Sequence, residues 1–415
     1  MPISVRRSFI FICSLVLLSA CQHTNQQDLE VRRLDDDVLA TWIAKASPQI
    51  AKDPTDYRLQ VLFTEIRRED NGRAMLHHHN YRADAEYQYP ASTVKLAIAA
   101  LALEYMQQLS GYGVTIDSVM HTEPLLEGDT LVSLDTSAAS GLPSVRHYVK
   151  KILLVSDNDA YNRLYELMGQ QYINKRLTQL GFTNAQILHR LDRSLSPEEN
   201  RATNPISFYD AKGKLLYRQS AKSSTALPAR PITLVGNDYL KNGELQGKPL
   251  DFSQKNNWPL SHMHQLTQMI MLPETLPPAQ RLQLAKADLQ FLQQHMAMLP
   301  AESTSPTYDK AQYWPSYVKF LVYGAEKDAQ IDPNLHIHNK VGDAYGFLLD
   351  SAYIKDDCSG AEFIITAALY VNKDGVLNDD NYDYDTVGLP FLKRLGELAV
   401  ANARAKPPSK CTEKR

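Results

Sequence analysis

Ser92-Thr93-Val94-Lys95 sets a hydroxyl and an amine three residues apart, a spacing that puts both on one face of a helix. The stretch to Leu109 is apolar almost throughout, with Val94, Leu96, Ala97, Ile98, Leu101, Leu103 and Met106. This predicts a buried helix ended by Gly111. A serine at such a helix start meets free N–H groups and a dipole that favour a developing oxyanion. A lysine held in a dry pocket can lose its proton and act as a base. The chemistry would be nucleophilic attack by a hydroxyl. Two further groups extend it. Ser156-Asp157-Asn158 falls between two expected helices, where a loop can turn a second hydroxyl and an amide toward the same cavity. Lys340-Val341-Gly342 ends an apolar segment. On an edge strand it would offer a cation for a substrate carboxylate and a glycine that admits a close backbone.

The elements that must hold these groups are legible in the hydrophobic periods. Tyr57 to Ile66 reads as a strand, with a hairpin partner from Arg73 to Tyr81 across Asn71-Gly72. Val38 to Ile43, after Asp35-Asp36-Asp37, reads as a capped helix. Val145, Tyr148, Val149, Ile152 and Leu153 mark an amphipathic helix opened by Pro143, and a second helix follows from Ala160 to Met168. Residues 206–258 are rich in turn residues and read as inserted loops and hairpins. Arg281 to Met298 is expected to be one long helix. Tyr345–Ile354 and Phe363–Val371 read as strands, and Phe391, Leu392, Leu395, Leu398 and Ala399 as a last helix. Strands at both ends with helices between predict an α+β fold. One antiparallel sheet is built from both chain ends, with a helical subdomain between.

The order S-x-x-K, S-D-N, K-x-G resembles that of the class A β-lactamase-like, penicillin-recognising serine hydrolases. Ser92 and Ser156 are 64 residues apart, and Val155-Ser156-Asp157-Asn158-Asp159-Ala160-Tyr161-Asn162-Arg163-Leu164 is similar to the family's second motif and its following helix. Lys340, Gly342, Gly346, Asp350, Ala352 and Ile354 are similar to its third strand. The resemblance spans most of residues 35–405, with 206–335 much longer than usual. It implies a β-lactamase/transpeptidase-like fold in which Ser92 is acylated and Lys95 activates it. Ser156 relays a proton to the leaving nitrogen, and Asn158 positions the substrate amide. Lys340 supports Ser156 and attracts the substrate carboxylate, beside Gly342. The N–H groups of Ser92 and Asp343 form the oxyanion hole.

Two positions depart from the family pattern. Val341 stands where a Thr or Ser hydroxyl would hold the substrate carboxylate. Arg190-Leu191-Asp192, 36 residues past Ser156, stands where Arg-x-Glu would activate the deacylating water. Asp is shorter by about 1.5 Å of reach. Asp192 is taken as the base. Glu198 and Glu199 are rivals, and a loop ion pair of Asp192 with Arg190 or Arg193 is the plain alternative. The leading expectation is hydrolysis of the β-lactam amide. The alternatives are a D-alanyl-D-alanine peptidase, another amidase or esterase, or a penicillin sensor that is acylated without turnover. The expected ligand is a small β-lactam or cell-wall-peptide-like molecule, and no metal or organic cofactor is implied.

Composition agrees with an ordinary folded protein. Of 415 residues, 44% are hydrophobic and 22% charged, with a net charge of −3, so the basic excess of a nucleic-acid binder is absent. Arg6 and Arg7, the apolar run Phe9 to Leu18, and Leu18-Ser19-Ala20-Cys21 resemble a bacterial lipoprotein signal cleaved before Cys21. The expectation is a signal peptide at 1–20 and a tether at 21–34. The hydrolase domain would fill 35–405 and a tail 406–415. The lipid on Cys21 would anchor the chain to a membrane facing the periplasm, by default the outer one. Cys358 and Cys411 could pair there or remain free thiols. His77-His78-His79 reads as an exposed hairpin rather than a metal site, and His336 and His338 as partly buried near the site mouth. Tyr81, Tyr87 and Tyr89 read as core or cavity wall. The helix at 281–298 reads as scaffold.

Overall fold

The computed structural model describes residues 37–405. The expected signal, Cys21, the tether, Cys411 and the tail lie outside the described residues. Five strands form one antiparallel sheet: β1 (Gln60–Arg68), β2 (Ala74–Tyr81), β3 (Leu335–Ala344), β4 (Phe347–Asp356) and β5 (Glu362–Tyr370). Their order is β3-β4-β5-β1-β2, and each neighbouring pair is antiparallel. The fold is α+β, and its sheet is built from both ends of the chain. β3 is an edge strand, paired only with β4.

Alternation along the strands puts apolar side chains on both faces, so both must be covered. One face packs on helix α1 (Asp37–Ala46) through Leu39, Trp42 and Ile43, and on the last helix, Leu389–Arg404, through Phe391, Leu392 and Leu395. The helical part carries α2 (Val94–Gln108), α3 (Val145–Val155) and α4 (Asn158–Met168), then α5 (Leu260–Met271) and α6 (Lys286–Ala297); the last helix is α7. Thirteen consecutive residues of α2, Val94 to Met106, are buried, as its uniform apolarity predicts. α5 lies against β1, β4 and β5, so part of the enlarged 206–335 region belongs to the sheet's cover. Its buried His264 joins Thr64 at 2.7 Å and Thr366 at 2.9 Å.

Several boundaries differ from expectation. Tyr345 and Gly346 are not strand. They form a two-residue turn between Ala344 and Phe347, with φ of +54° and +80°, the geometry a tight hairpin demands. The expected long helix at 281–298 begins only at Lys286, because Pro277 and Pro278 hold a separate short turn ahead of it. α4 starts at Asn158, two residues early, because Asp157 accepts the Ala160 N–H at 2.8 Å and caps it. The three histidines at 77–79 are half-buried rather than exposed; His78 Nδ1 meets Thr64 Oγ1 at 2.8 Å. His336 pairs with Asp357 at 2.8 Å, and His338 contacts the Gln293 carbonyl at 2.9 Å on α6. Among the described residues, no three His, Cys, Asp or Glu are grouped to hold a metal, and no helix is long and apolar enough to cross a membrane. Cys358 is disulfide-bonded, and the other cysteines lie outside the described residues.

Candidate active site

Ser92 sits in the short turn Ala91–Thr93 that leads into α2. Thr93 ties this turn to the Pro90 carbonyl through its N–H at 3.0 Å and its hydroxyl at 2.6 Å. Ala91 has φ of +46°, a left-handed conformation that costs a non-glycine residue about 1–2 kcal/mol. Edge strand β3 backs the turn at Gly342. A Cβ there would lie 2.8 Å from the Ser92 nitrogen, 2.9 Å from the Pro90 oxygen and 2.9 Å from the Thr93 nitrogen. Only glycine lets the strand press this close. Gly342 thus supports the Ser92 turn and does not line the cavity beside it.

The S-D-N stretch is a helix-to-helix corner. Ser156 ends α3 with φ of +60°, Asp157 caps α4, and Asn158 is the first residue of α4. The corner delivers two side chains to Lys95. Lys95 Nζ donates to Asn158 Oδ1 at 2.6 Å, to the Ser156 carbonyl, and to Ser156 Oγ at 3.3 Å. From the other side Lys340 Nζ donates to Ser156 Oγ at 2.8 Å and to the Val341 carbonyl at 2.7 Å. The Ser156 hydroxyl therefore lies between two amino groups. Burial drives Lys95 well below the ordinary lysine range, helped by the Lys340 charge and opposed by Asp157, Asp343 and Asp192. Burial likewise lowers Lys340 to about 7, opposed first by Asp343. Two lysines share one small volume, and each proton removed eases the repulsion.

A cleft of about 460 Å³ opens over Ser92. Asn158, Asp192 and Asp343 line it, together with Tyr89, Tyr345, Asn378, Asp380, Tyr382 and Tyr384. No hydrogen bond reaches the Ser92 hydroxyl among the described residues. Asp343 is exposed to the cleft, and desolvation by the surrounding protein raises its carboxyl, with Lys340 and Lys95 opposing. A smaller cavity of about 230 Å³ adjoins at Ser156, Asp343 and Tyr384 and is walled by Val341, Trp314, Tyr317 and Phe320. Val341 and Asp343, two apart on β3, share a face of the strand. The Lys340 amine is buried and lines neither cavity. The surface offered where a carboxylate was expected is Val341 and Asp343, not the lysine.

Asp192 reaches the cleft from a pinned loop. Arg190, 1% exposed, donates to Glu166 Oε1 at 2.7 Å and to the Ala202 and Glu199 carbonyls at 2.9 and 3.2 Å. Asn162 clamps both polar groups of Leu191, accepting its N–H at 2.8 Å and donating to its carbonyl at 2.9 Å. Asp192 follows with φ of +55°. The alternative ion pair of Asp192 with Arg190 or Arg193 does not form, since Arg190 pairs with Glu166 and Arg193 with Asp129. Glu198 pairs with Arg201, and Glu199 closes a capping box on Ser196. Neither lines the cleft.

The structure brings Ser92, Lys95, Ser156, Asn158, Asp192, Lys340, Gly342 and Asp343 to one place. Sequence reasoning missed the wall from 378–384 and the Trp314–Phe320 segment. The only signal was a density of Tyr and Asp near position 380. Residues 69–224, which carry Ser92 through Asp192 but not Lys340, match the model of the Beta-lactamase enzyme family. No curated protein matches the chain. Among solved structures, it is similar to a β-lactamase from Sphaerobacter thermophilus (13% identity, 91% of this chain and 100% of that one, TM-score 0.47). It is also similar to one from Desulfarculus baarsii (16%, 88% and 98%, 0.44) and one from Burkholderia vietnamiensis (16%, 87% and 96%, 0.45).

Proposed function

We propose that this chain is a serine hydrolase that acylates Ser92 and then hydrolyses the ester, with the amide of a β-lactam ring as its substrate. The observation that carries the reading is the Ser156 hydroxyl held by Lys95 at 3.3 Å and Lys340 at 2.8 Å, with Ser92, at a helix start, lining the adjoining cleft. Ser92 Oγ attacks the acyl carbon and passes its proton to neutral Lys95. A neutral amine keeps two N–H donors for the Ser156 carbonyl and Asn158, and its lone pair takes the proton. Ser156 Oγ passes its proton to the departing nitrogen as the C–N bond breaks and takes one from protonated Lys95, with Lys340 donating to the same oxygen. The N–H groups of Ser92 and Asp343 receive the oxyanion. Asp192 then takes a proton from the water that attacks the ester, and the same proton count is restored when the Ser92 oxygen is protonated as its C–O bond breaks.

A second reading is an amidase or esterase whose acyl donor carries no carboxylate. Val341 and Asp343, in place of a hydroxyl and an exposed cation, favour it. Intact-protein mass after mixing with a penicillin tests both. An adduct lost in Ser92→Ala that appears and clears, with hydrolysed drug accumulating, supports the β-lactamase. A persistent adduct means a penicillin-binding or sensing protein. No adduct removes the β-lactam reading.

Export with a lipid on Cys21, and hence a periplasm-facing, membrane-anchored, outer-membrane location, is also proposed, on the Arg6-Arg7, apolar and Leu18-to-Cys21 pattern. Fatty-acid labelling in the producing cell that persists in Cys21→Ser would overturn it.

A further inference from the structure

On the reverse face of the sheet, behind Lys340, lies a buried charge pair that the chemistry at Ser92 does not use. Side chains alternate along β3 and β4. Lys340 and Ser351, opposite each other in the register, face the helical part, where they meet Ser156 and Thr267. Asn339, Val341 and Asp350 therefore face the other way. Asn339 precedes Lys340 in the chain, and Asp350 lies opposite Val341. The third member, Lys319, comes from the 318–323 segment. Lys319 is 2% exposed, Asn339 3% and Asp350 0%.

The hydrogen bonds of this trio fix its protons. Lys319 Nζ donates to the Met296 carbonyl of α6 at 2.9 Å, to the Ile337 carbonyl of β3 at 2.8 Å and to Asn339 Oδ1 at 2.7 Å. Asn339 Nδ2 donates to the Val318 carbonyl at 2.9 Å and to Asp350 Oδ1 at 2.8 Å. Asp350 Oδ2 accepts the Leu321 N–H at 3.0 Å. Three acceptors around one amine call for its three protons, so Lys319 is charged. Both Asp350 oxygens meet donors, so the carboxyl is ionised. Burial works against both charges, and each charge offsets that cost for the other. Apolar side chains of similar volume often hold such a join as well or better. What the pair adds is charge.

That charge reaches Lys340. Burial sets the Lys340 amine low and Asp343 opposes it; next, Asp350 favours its proton and Lys319, less strongly, disfavours it. The other groups at the amine are Lys95 on α2 and the Ser156 hydroxyl. His338, two residues back on the same face of β3, is lowered to about 4 by burial and carries no charge near pH 7. We propose that the relay Lys319–Asn339–Asp350 is a positioning device for Lys340: it clamps β3 from the reverse face and sets the charge that the Lys340 amine presents to Ser156. Its effect on turnover rests on the serine-hydrolase reading; its effect on Lys340 does not.

The test follows the Lys340 amine by nuclear magnetic resonance across a pH titration, in full-length protein carrying isotope-labelled lysine. The signal missing from Lys340→Met identifies it. In the wild type it should titrate at about 7. Asp350→Asn keeps the shape, removes the carboxylate and should lower this midpoint by about one pH unit. Asp350→Asn combined with Asn339→Asp returns a carboxylate to the relay, one step along it, and should bring the midpoint most of the way back. A midpoint unmoved by Asp350→Asn overturns the proposal, as does a combined variant that regains wild-type stability in urea without regaining the midpoint. If Asp350→Asn alone does not fold, Lys319→Met with Asp350→Asn leaves no charge unpaired. Its midpoint should still fall, by less, and an unchanged value overturns the proposal. Penicillin acylation, read by intact mass over the same pH range, separates the two readings. A shifted midpoint with no adduct in any of the proteins keeps the relay and discards the hydrolase. An adduct with an unmoved midpoint does the reverse.

Discussion

At the scale of single residues, position 342 decides whether the nucleophile can be held. The strand and the Ser92 turn meet backbone to backbone, so a methyl group has no flexible neighbour to displace. Gly342→Ala should move Ser92 by a few tenths of an ångström or more and lower kcat/KM by about a hundredfold. Its far-ultraviolet circular dichroism should stay native. Near-native activity would mean that the contact yields freely. Asp192 has a different signature. Asp192→Asn should leave the rate of adduct formation within a few-fold and slow its clearance by about 10²–10⁴, read by intact mass over time. An unchanged clearance rate would remove Asp192 as the base. Both residues were read through the resemblance, Gly342 from the K-x-G order and Asp192 from its place 36 residues past Ser156. The Lys340–Ser156 contact, across 184 residues, was implied by the resemblance; the withdrawal of the Lys340 amine from both cavities was not, since it depends on packing no motif encodes.

At the scale of elements, loop 190–204 depends on one buried charge. Arg190 is 1% exposed and Glu166 0%, and with Arg190 gone the buried Glu166 keeps only Arg163, at 3.0 Å, while its other oxygen is left unpaired in a low-dielectric interior. Arg190→Met should destabilise the protein by about 3–5 kcal/mol, whereas Arg190→Met with Glu166→Met should recover much of the loss. Urea unfolding of the three proteins checks this. If the double variant is no more stable than the single, the pair is not the cause. Sequence periodicity located α2, α3 and the β1–β2 hairpin because each buries one consistent set of apolar residues. It missed α5, although Leu260, Met263 and Ile270 follow a helical period, because Pro249 and Pro259 and the polar run between them masked its start. It also ran β4 back to Tyr345, since nothing in a tyrosine announces a positive φ. The aromatic and acidic wall was hidden for another reason. Trp314 and Tyr384 are 70 residues apart in sequence, and only the packing of α7 and the 318–323 segment on the sheet unites them.

At the scale of the whole molecule, the site is held against a stability cost. Lys340 is buried and lowered to about 7, whereas in the unfolded chain it titrates near its ordinary value of about 10.4. Below pH 7 both states hold the proton, and the folded state carries the full penalty. Between about pH 7 and 10 the unfolded state binds the extra proton, so stability rises with pH by about 1.4 kcal/mol per unit from this group. The unfolding free energy of the wild type, minus that of Lys340→Met, should therefore become more favourable from pH 7 to pH 9. Denaturant titrations at the two pH values measure it. A flat or falling difference would show that Lys340 keeps its proton when folded.

The sheet drawn from both chain ends has a consequence for the order in which the protein comes into being. A chain emerging N-terminal end first presents the Ser92 turn and the S-D-N corner long before β3, β4 and β5 exist. β1 pairs with β5, and the Ser92 turn rests on Gly342 of β3, so neither is complete until roughly the last fifth of the chain arrives. Contacts of such long sequence separation form late and slowly. On the proposed chemistry, a nascent or truncated chain therefore carries Ser92 without its backing strand, and acylation awaits the finished molecule.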